Sequence, residues 1–129
     1  MIKCAYSHEF YPPAPIFQVW LAFPDQSSRI GPLAALVDTG ADGTFVPTDY
    51  LEQLQVPVDY MTNVRAHVGQ GRYQVSVHIV DIVLSDTLRL PDIEVVSDDW
   101  GNQIILGRNV LNKLKIMLDG LKLVSSISG

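Results

Sequence analysis

The sequence predicts a mainly β domain with one or two short helices. Three observations carry this. Runs of branched and aromatic residues recur along the chain, each bounded by glycine, proline or aspartate. Two of the breaks have hairpin form: Gly69-Gln70-Gly71 between apolar runs, and Asp119-Gly120 near the C-terminus. Only two short stretches carry helix signals.

Taken in order, residues 1–15 read as an N-terminal arm, because Tyr11-Pro12-Pro13-Ala14-Pro15 favours extended, polyproline-like backbone. Such an arm is either loose or laid against a partner. The globular domain is expected over residues 16–129. Ile16–Phe23 is a strand, and Pro24–Ser28 a turn. Leu33–Val37 is an apolar run with the character of a buried strand, and strand structure resumes over Ala41–Pro47. Thr48–Leu54 is a short helix, with Thr48 as its N-cap and Pro57 as its stop. Val64–Val68 and Tyr73–Leu84 are the arms of a long hairpin whose tip is Gly69–Gly71, and Tyr73, Val75, Val77 and Ile79 alternate as a strand requires. Leu88–Val96 follows the turn Ser85-Asp86. After the loop Ser97–Asn102 comes a short strand, Ile104–Leu106. Arg108–Lys115 is a helix with Val110, Leu111 and Leu114 on one face. Lys115–Leu118 and Leu121–Ile127 close the chain as a hairpin around Asp119-Gly120.

Composition narrows the function. With 129 residues the chain makes one domain with an ordinary core. A hydrophobic share of 47% and a charged share of 18% place it among globular proteins. The net charge of −5 argues against a nucleic-acid partner, which demands a basic footprint, and gives no attraction to anionic membranes. Cys4 is the only cysteine, so no internal disulfide is expected, and Cys4 reads as a spare thiol near a terminus. Pro12, Pro13 and Pro15 interrupt any signal-peptide core, no run approaches a membrane span, and the cytoplasm is the default compartment. His8, His67 and His78 lack metal-ligand spacing, and no nucleophile elbow or phosphate loop is present; neither a metal nor another cofactor is expected.

The chemistry concentrates at Asp38-Thr39-Gly40. The buried strand before it delivers a carboxylate to a tight turn, with no cation beside it in sequence. Such a group is a candidate acid or base. Two carboxylates about 3 Å apart share one proton, so that one takes a proton from water and the other donates to a carbonyl. Only one Asp-Thr-Gly exists in the chain, so if the chemistry needs two carboxylates, the second must come from another copy. Gly40 permits the tight turn, and Thr39 can hydrogen-bond across to its mate. The competing reading is a plain surface turn, since all three are turn residues. Arg108 follows Gly107 at a helix start, where the helix dipole disfavours a cation. Asp42 is the candidate partner for a bidentate pair, against a solvated arginine. Gly69-Gln70-Gly71 is either a mobile lid tip or an ordinary hairpin turn.

In this order, these pieces resemble the retroviral-type, or retropepsin-like, aspartic proteases. The resemblance rests on Leu36-Val37-Asp38-Thr39-Gly40-Ala41-Asp42, on the glycine-tipped hairpin, and on Ile104-Ile105-Leu106-Gly107-Arg108-Asn109-Val110-Leu111. It covers about residues 16–125 and is nearest to stand-alone cellular or bacterial members. It implies a single-lobe acid-protease fold, a closed β-barrel with a flap hairpin. It also implies a homodimer that hydrolyses an extended peptide or protein substrate. Asp38 would then be catalytic, and Thr39, Gly40, Ala41, Asp42 and Arg108 would support the active-site loop. Gly69, Gln70 and Gly71 would form the flap that closes on substrate. The arm, the long Tyr73–Val96 region and the Asp98–Asn102 loop are additions to the compact viral pattern. Two alternatives stand beside this: a non-catalytic peptide-binding or dimerisation module on the same fold, and a small structural barrel in which Asp-Thr-Gly is only a turn.

Overall fold

The computed structural model describes residues 1–65 and 71–128. Strands dominate: β1 (Ile2–Ala5), β2 (Ile16–Ala22), β3 (Arg29–Val37), β4 (Thr44–Pro47), β5 (Tyr60–Arg65), β6 (Arg72–Ser85), β7 (Leu88–Asp98), β8 (Ile104–Leu106), β9 (Lys115–Asp119) and β10 (Val124–Ser128). The two helices are α1 (Thr48–Leu54) and α2 (Arg108–Leu111). Seven strands form one sheet in the order β2-β3-β8-β4-β7-β6-β5, and β2 also pairs with β6. That second pairing, Trp20↔Val83 to Ala22↔Asp81, closes six of the strands into a barrel and leaves β5 outside the closure. A register shift between Val19 and Leu21 makes this possible. Such an irregularity bends a strand and raises its twist, so one short strand can serve two neighbours.

Alternation places the core. Phe17, Val19 and Leu21 of β2 are fully buried while Gln18 between them is exposed. From the other walls come Val37, Val46, Val80, Ile82, Val95, Ile104 and Leu106, with Val110 of α2 capping one end. One charged side chain lies among them. Asp81 is 2% exposed and accepts from the backbone N–H groups of Asp25 (3.0 Å) and Asp92 (2.9 Å) and from Arg89 Nε (2.7 Å). Burial alone would raise its pKa, but the two N–H donors and the guanidinium outweigh burial and hold it below the usual carboxylate value.

Several details depart from the sequence expectation. The first residues are not a loose arm. β1 pairs antiparallel with β10, which pairs with β9, so the start and end of the chain form a separate three-stranded sheet. Cys4, expected as a spare thiol at a terminus, sits half-buried in β1 and packs on the core. Thr48 does not cap α1: Pro47 holds that position, and the Thr48 hydroxyl bonds across to Ser97 (2.6 Å) and to the Asp99 carboxylate. α1 stops on Gln55, whose backbone is left-handed, before Pro57 is reached. α2 is a single turn ending at Leu111, because Lys115 is recruited into β9. The long hairpin is β5 with β6, paired from Tyr60↔Val77 to Arg65↔Arg72. Gly69, Gln70 and His67 lie outside the described residues. Gly71, with φ of +115°, opens the returning strand in a conformation that favours glycine.

Candidate active site

β3 and β4 follow each other in sequence but are not neighbours in the sheet. β8 is threaded between them, parallel to β3 (Val37↔Leu106) and antiparallel to β4 (Phe45↔Ile105). The connection over residues 38–43 must therefore arch over the end of β8. Asp38 starts that arch. Its N–H donates to the Leu106 carbonyl at 3.1 Å, which continues the β3–β8 ladder one residue past the strand. Its carboxylate Oδ1 accepts from Gly40 N–H at 3.0 Å, and the Ala41 N–H turns back on the Asp38 carbonyl at 3.2 Å. Asp38 is half-buried, while Thr39 and Gly40 are exposed beside it. The carboxylate is thus held by one backbone donor through Oδ1.

The arch is held from below by α2. Arg108 N–H donates to the Ala41 carbonyl (2.9 Å), and its side chain reaches the same loop twice. Nη1 donates to the Thr39 carbonyl at 2.8 Å, and Nη2 to the Asp42 carboxylate. The expected partner is therefore present, but the fork is divided between a carbonyl and a carboxylate rather than spent bidentately on Asp42. Both side chains of this pair are well exposed, at 44% for Arg108 and 92% for Asp42. Its value is geometric more than energetic, since exposed pairs contribute about 0–1 kcal/mol.

Three residues outside the sequence-predicted set complete the support. Thr44 is fully buried at the start of β4; its hydroxyl accepts from Gly107 N–H (3.1 Å) and donates to Asn109 Oδ1 (2.7 Å). Asn109 in turn donates to the Glu94 carbonyl on β7 (3.0 Å). Gly107 itself packs directly under the arch. A Cβ there would stand 2.5 Å from the carbonyl carbon of Gly43, nearer still to its oxygen, and 3.0 Å from the Ala41 oxygen. Only glycine lets the loop and α2 approach this closely. A weak signal for Thr44 existed, a hydroxyl at an otherwise apolar strand start. The roles of Gly107 and Asn109 were within the quoted motif but unassigned. His78, which lacks metal-ligand spacing to the other histidines, is buried with Nδ1 against the Val56 carbonyl and Nε2 against the Ser76 hydroxyl.

Residues 30–113, well over half of the chain, match the family model described as "gag-polyprotein putative aspartyl protease". The chain belongs to that family. Among solved structures, the retropepsin-like fold recurs in a retropepsin-like aspartic protease from Rickettsia conorii (15% identity, TM-score 0.65, covering 98% of this chain and 88% of that one). It recurs in the EIAV protease complexed with the inhibitor HBY-793 (22%, TM-score 0.53, 85% and 93%). A third is the retroviral protease-like domain of Ddi1 from Leishmania major (18%, TM-score 0.53, 89% and 90%). At these identities the structures speak for the fold alone. No curated protein gives a match. The retropepsin-like barrel thus accounts for the closed sheet, the threaded β8 and the arch that carries Asp38.

Proposed function

We propose that this retropepsin-like protein is an aspartic endopeptidase that works as a homodimer. The observation that carries the reading is the arch itself. It presents one half-buried carboxylate, oriented by Gly40 N–H and clamped through Arg108, and each chain has a single such arch. Two copies brought together on a two-fold axis would place two Asp38 carboxyls side by side. Like charges at about 3 Å cannot both ionise, so such a pair would share one proton.

The reaction then follows. The ionised carboxylate takes a proton from a water molecule held between the pair, and the water oxygen attacks the peptide carbonyl carbon. The protonated partner gives its proton to the carbonyl oxygen, so the tetrahedral intermediate forms without net charge. Collapse transfers a proton to the amide nitrogen, the C–N bond breaks, and an amine and a carboxylic acid leave. Thr39 and Gly40, exposed next to Asp38, offer backbone groups to an extended substrate, and Thr39 can bond to its mate across the axis. The β5–β6 hairpin, whose returning strand begins just after Gly71, serves as the flap over the bound strand.

The test is cleavage of a peptide library from pH 4 to 7, with wild type, Asp38→Asn, and wild type plus a pepstatin-like inhibitor. Cleavage by wild type that is lost in Asp38→Asn, with unfolding unchanged, is the expected result. Peptide binding without cleavage by wild type would instead favour a non-catalytic peptide-binding module on the same fold.

A further inference from the structure

Where the barrel meets the terminal sheet there is a cavity of about 530 Å³. Its lining comes from three parts of the chain. Leu88 opens β7, Lys113 and Leu114 lie in the link from α2 to β9, and Lys115, Ile127 and Ser128 belong to β9 and β10. Lys115 and Ser128 are register partners at one end of the β9–β10 ladder. The floor is apolar: Ile127 is buried in the core, and Leu88 and Leu114 are half-buried against that core. The rim is cationic. Both lysines are exposed, and none of the lining residues is acidic.

The lysines stand out against the rest of the chain. Net charge is −5, yet residues 104–129 hold four cations, Arg108, Lys113, Lys115 and Lys122, against the single acid Asp119. Among the described residues, ion pairs join Arg29 to Asp86, Arg89 to Asp81 and Arg108 to Asp42, and neither Lys113 nor Lys115 enters one. Asp86, two positions before Leu88, pairs with Arg29, and Asp119 accepts from the Leu121 and Lys122 N–H groups of its own turn. An apolar hollow rimmed by two such cations is complementary to a molecule with an apolar body and an anionic head. Its volume agrees, since ligand pockets run from about 300 to 1,000 Å³, mostly apolar with a few polar groups that fix orientation. Lysine suits the rim, because its stem covers apolar surface while the ammonium stays in water. The apolar surface is also recessed, with Ile127 only 2% exposed. A recess admits a single chain, whereas a bilayer needs a protruding apolar face.

We propose that this cavity binds a medium-chain carboxylate, with its chain on Leu88, Leu114 and Ile127 and its head between Lys113 and Lys115. The site does not involve the Asp38 arch, and its test needs no catalysis. The full chain is titrated calorimetrically with decanoate, with decanol as the same chain without charge, and with hexanoate as a shorter acid, all below their micellar limits. The expected result is one decanoate per chain, weakened by added salt. Hexanoate, four methylenes shorter, should bind on the order of 100-fold more weakly, since each buried methylene contributes about fourfold. Lys113→Gln with Lys115→Gln should weaken decanoate about tenfold and leave decanol unchanged. Both positions are exposed, and thermal unfolding checks that the fold is kept. Absence of decanoate binding overturns the site. Decanol binding as tightly as decanoate, or a double variant with wild-type affinity for decanoate, overturns the role of the lysines. Vesicles of phosphatidylglycerol form the last arm: a chain that binds them but not decanoate docks on anionic lipid surfaces, and the cavity is then not the site.

Discussion

Gly107→Ala is the sharpest probe of how the arch is supported. The added Cβ would stand 2.5 Å from the Gly43 carbonyl carbon, where ordinary contact begins near 3.4 Å. The obstacle is backbone on both sides, so the strain cannot be relieved by a rotamer change. The 38–43 loop must retreat by roughly an ångström, or α2 must. Overfilling a packed site costs about 1–3 kcal/mol in stability. A displacement of that size at a catalytic group lowers turnover by about 10²-fold, equivalent to about 2.7 kcal/mol of barrier. The measurement is kcat/KM on a peptide that the wild type cuts, alongside urea unfolding. Gly120→Ala is the matched control, because a Cβ at Gly120 meets nothing within 4 Å. Wild-type kcat/KM in Gly107→Ala, or an equal loss in Gly120→Ala, would refute the reasoning.

Further outcomes follow from the same contacts. Arg108→Lys keeps the charge but cannot serve the Thr39 carbonyl and Asp42 together, so kcat/KM should fall about tenfold while stability changes by less than about 1 kcal/mol; equal losses in both, read by kinetics and thermal melting, would contradict the clamp. Asp81→Ala strands two backbone N–H groups and the Arg89 guanidinium, for about 3 kcal/mol of destabilisation after allowing for the partial exposure of Arg89. The sign with pH is fixed by the lowered carboxyl of Asp81. Its stabilising contribution is complete above the unfolded pKa of about 3.9 and is lost as pH falls through the lower folded value. Denaturant midpoints measured from pH 6 down to 2.5 should therefore fall more steeply for wild type than for Asp81→Ala, and parallel curves would count against that assignment.

Much of this architecture was legible in the sequence because it is written locally. Apolar runs between turn residues gave β2, β6, β7 and β8 nearly to their ends, and α1 to its limits. The Asp38 loop was legible because a buried strand ending in a carboxylate is chemically unusual, and Arg108 because a cation at a helix start needs a partner. What escaped was non-local. Nothing near Ile2–Ala5 says that it pairs with residues 124–127, more than a hundred positions on. Thr48 looks like a cap by local rule and is instead claimed by Ser97 and Asp99 at the end of the neighbouring strand β7. Asp81 interrupts the run Val80-Asp81-Ile82, yet its donors come from the distant turn at Asp25 and from Arg89 and Asp92 of β7. The division of the Arg108 fork depends on a carbonyl, which no side-chain pattern encodes.

The threading of β8 between β3 and β4 has a consequence for when the site can exist. During synthesis, Asp38 and its strand emerge long before Ile104–Leu106. Until then the gap between β3 and β4 is empty, and the Leu106 carbonyl, the Gly107 contact and the Arg108 clamp are all missing. Contacts so far apart in sequence form slowly, since the intervening chain must first be closed into a loop. A growing or interrupted chain would thus own the aspartate without owning its geometry. For the proposed activity, the strand order itself would keep an unfinished copy inert.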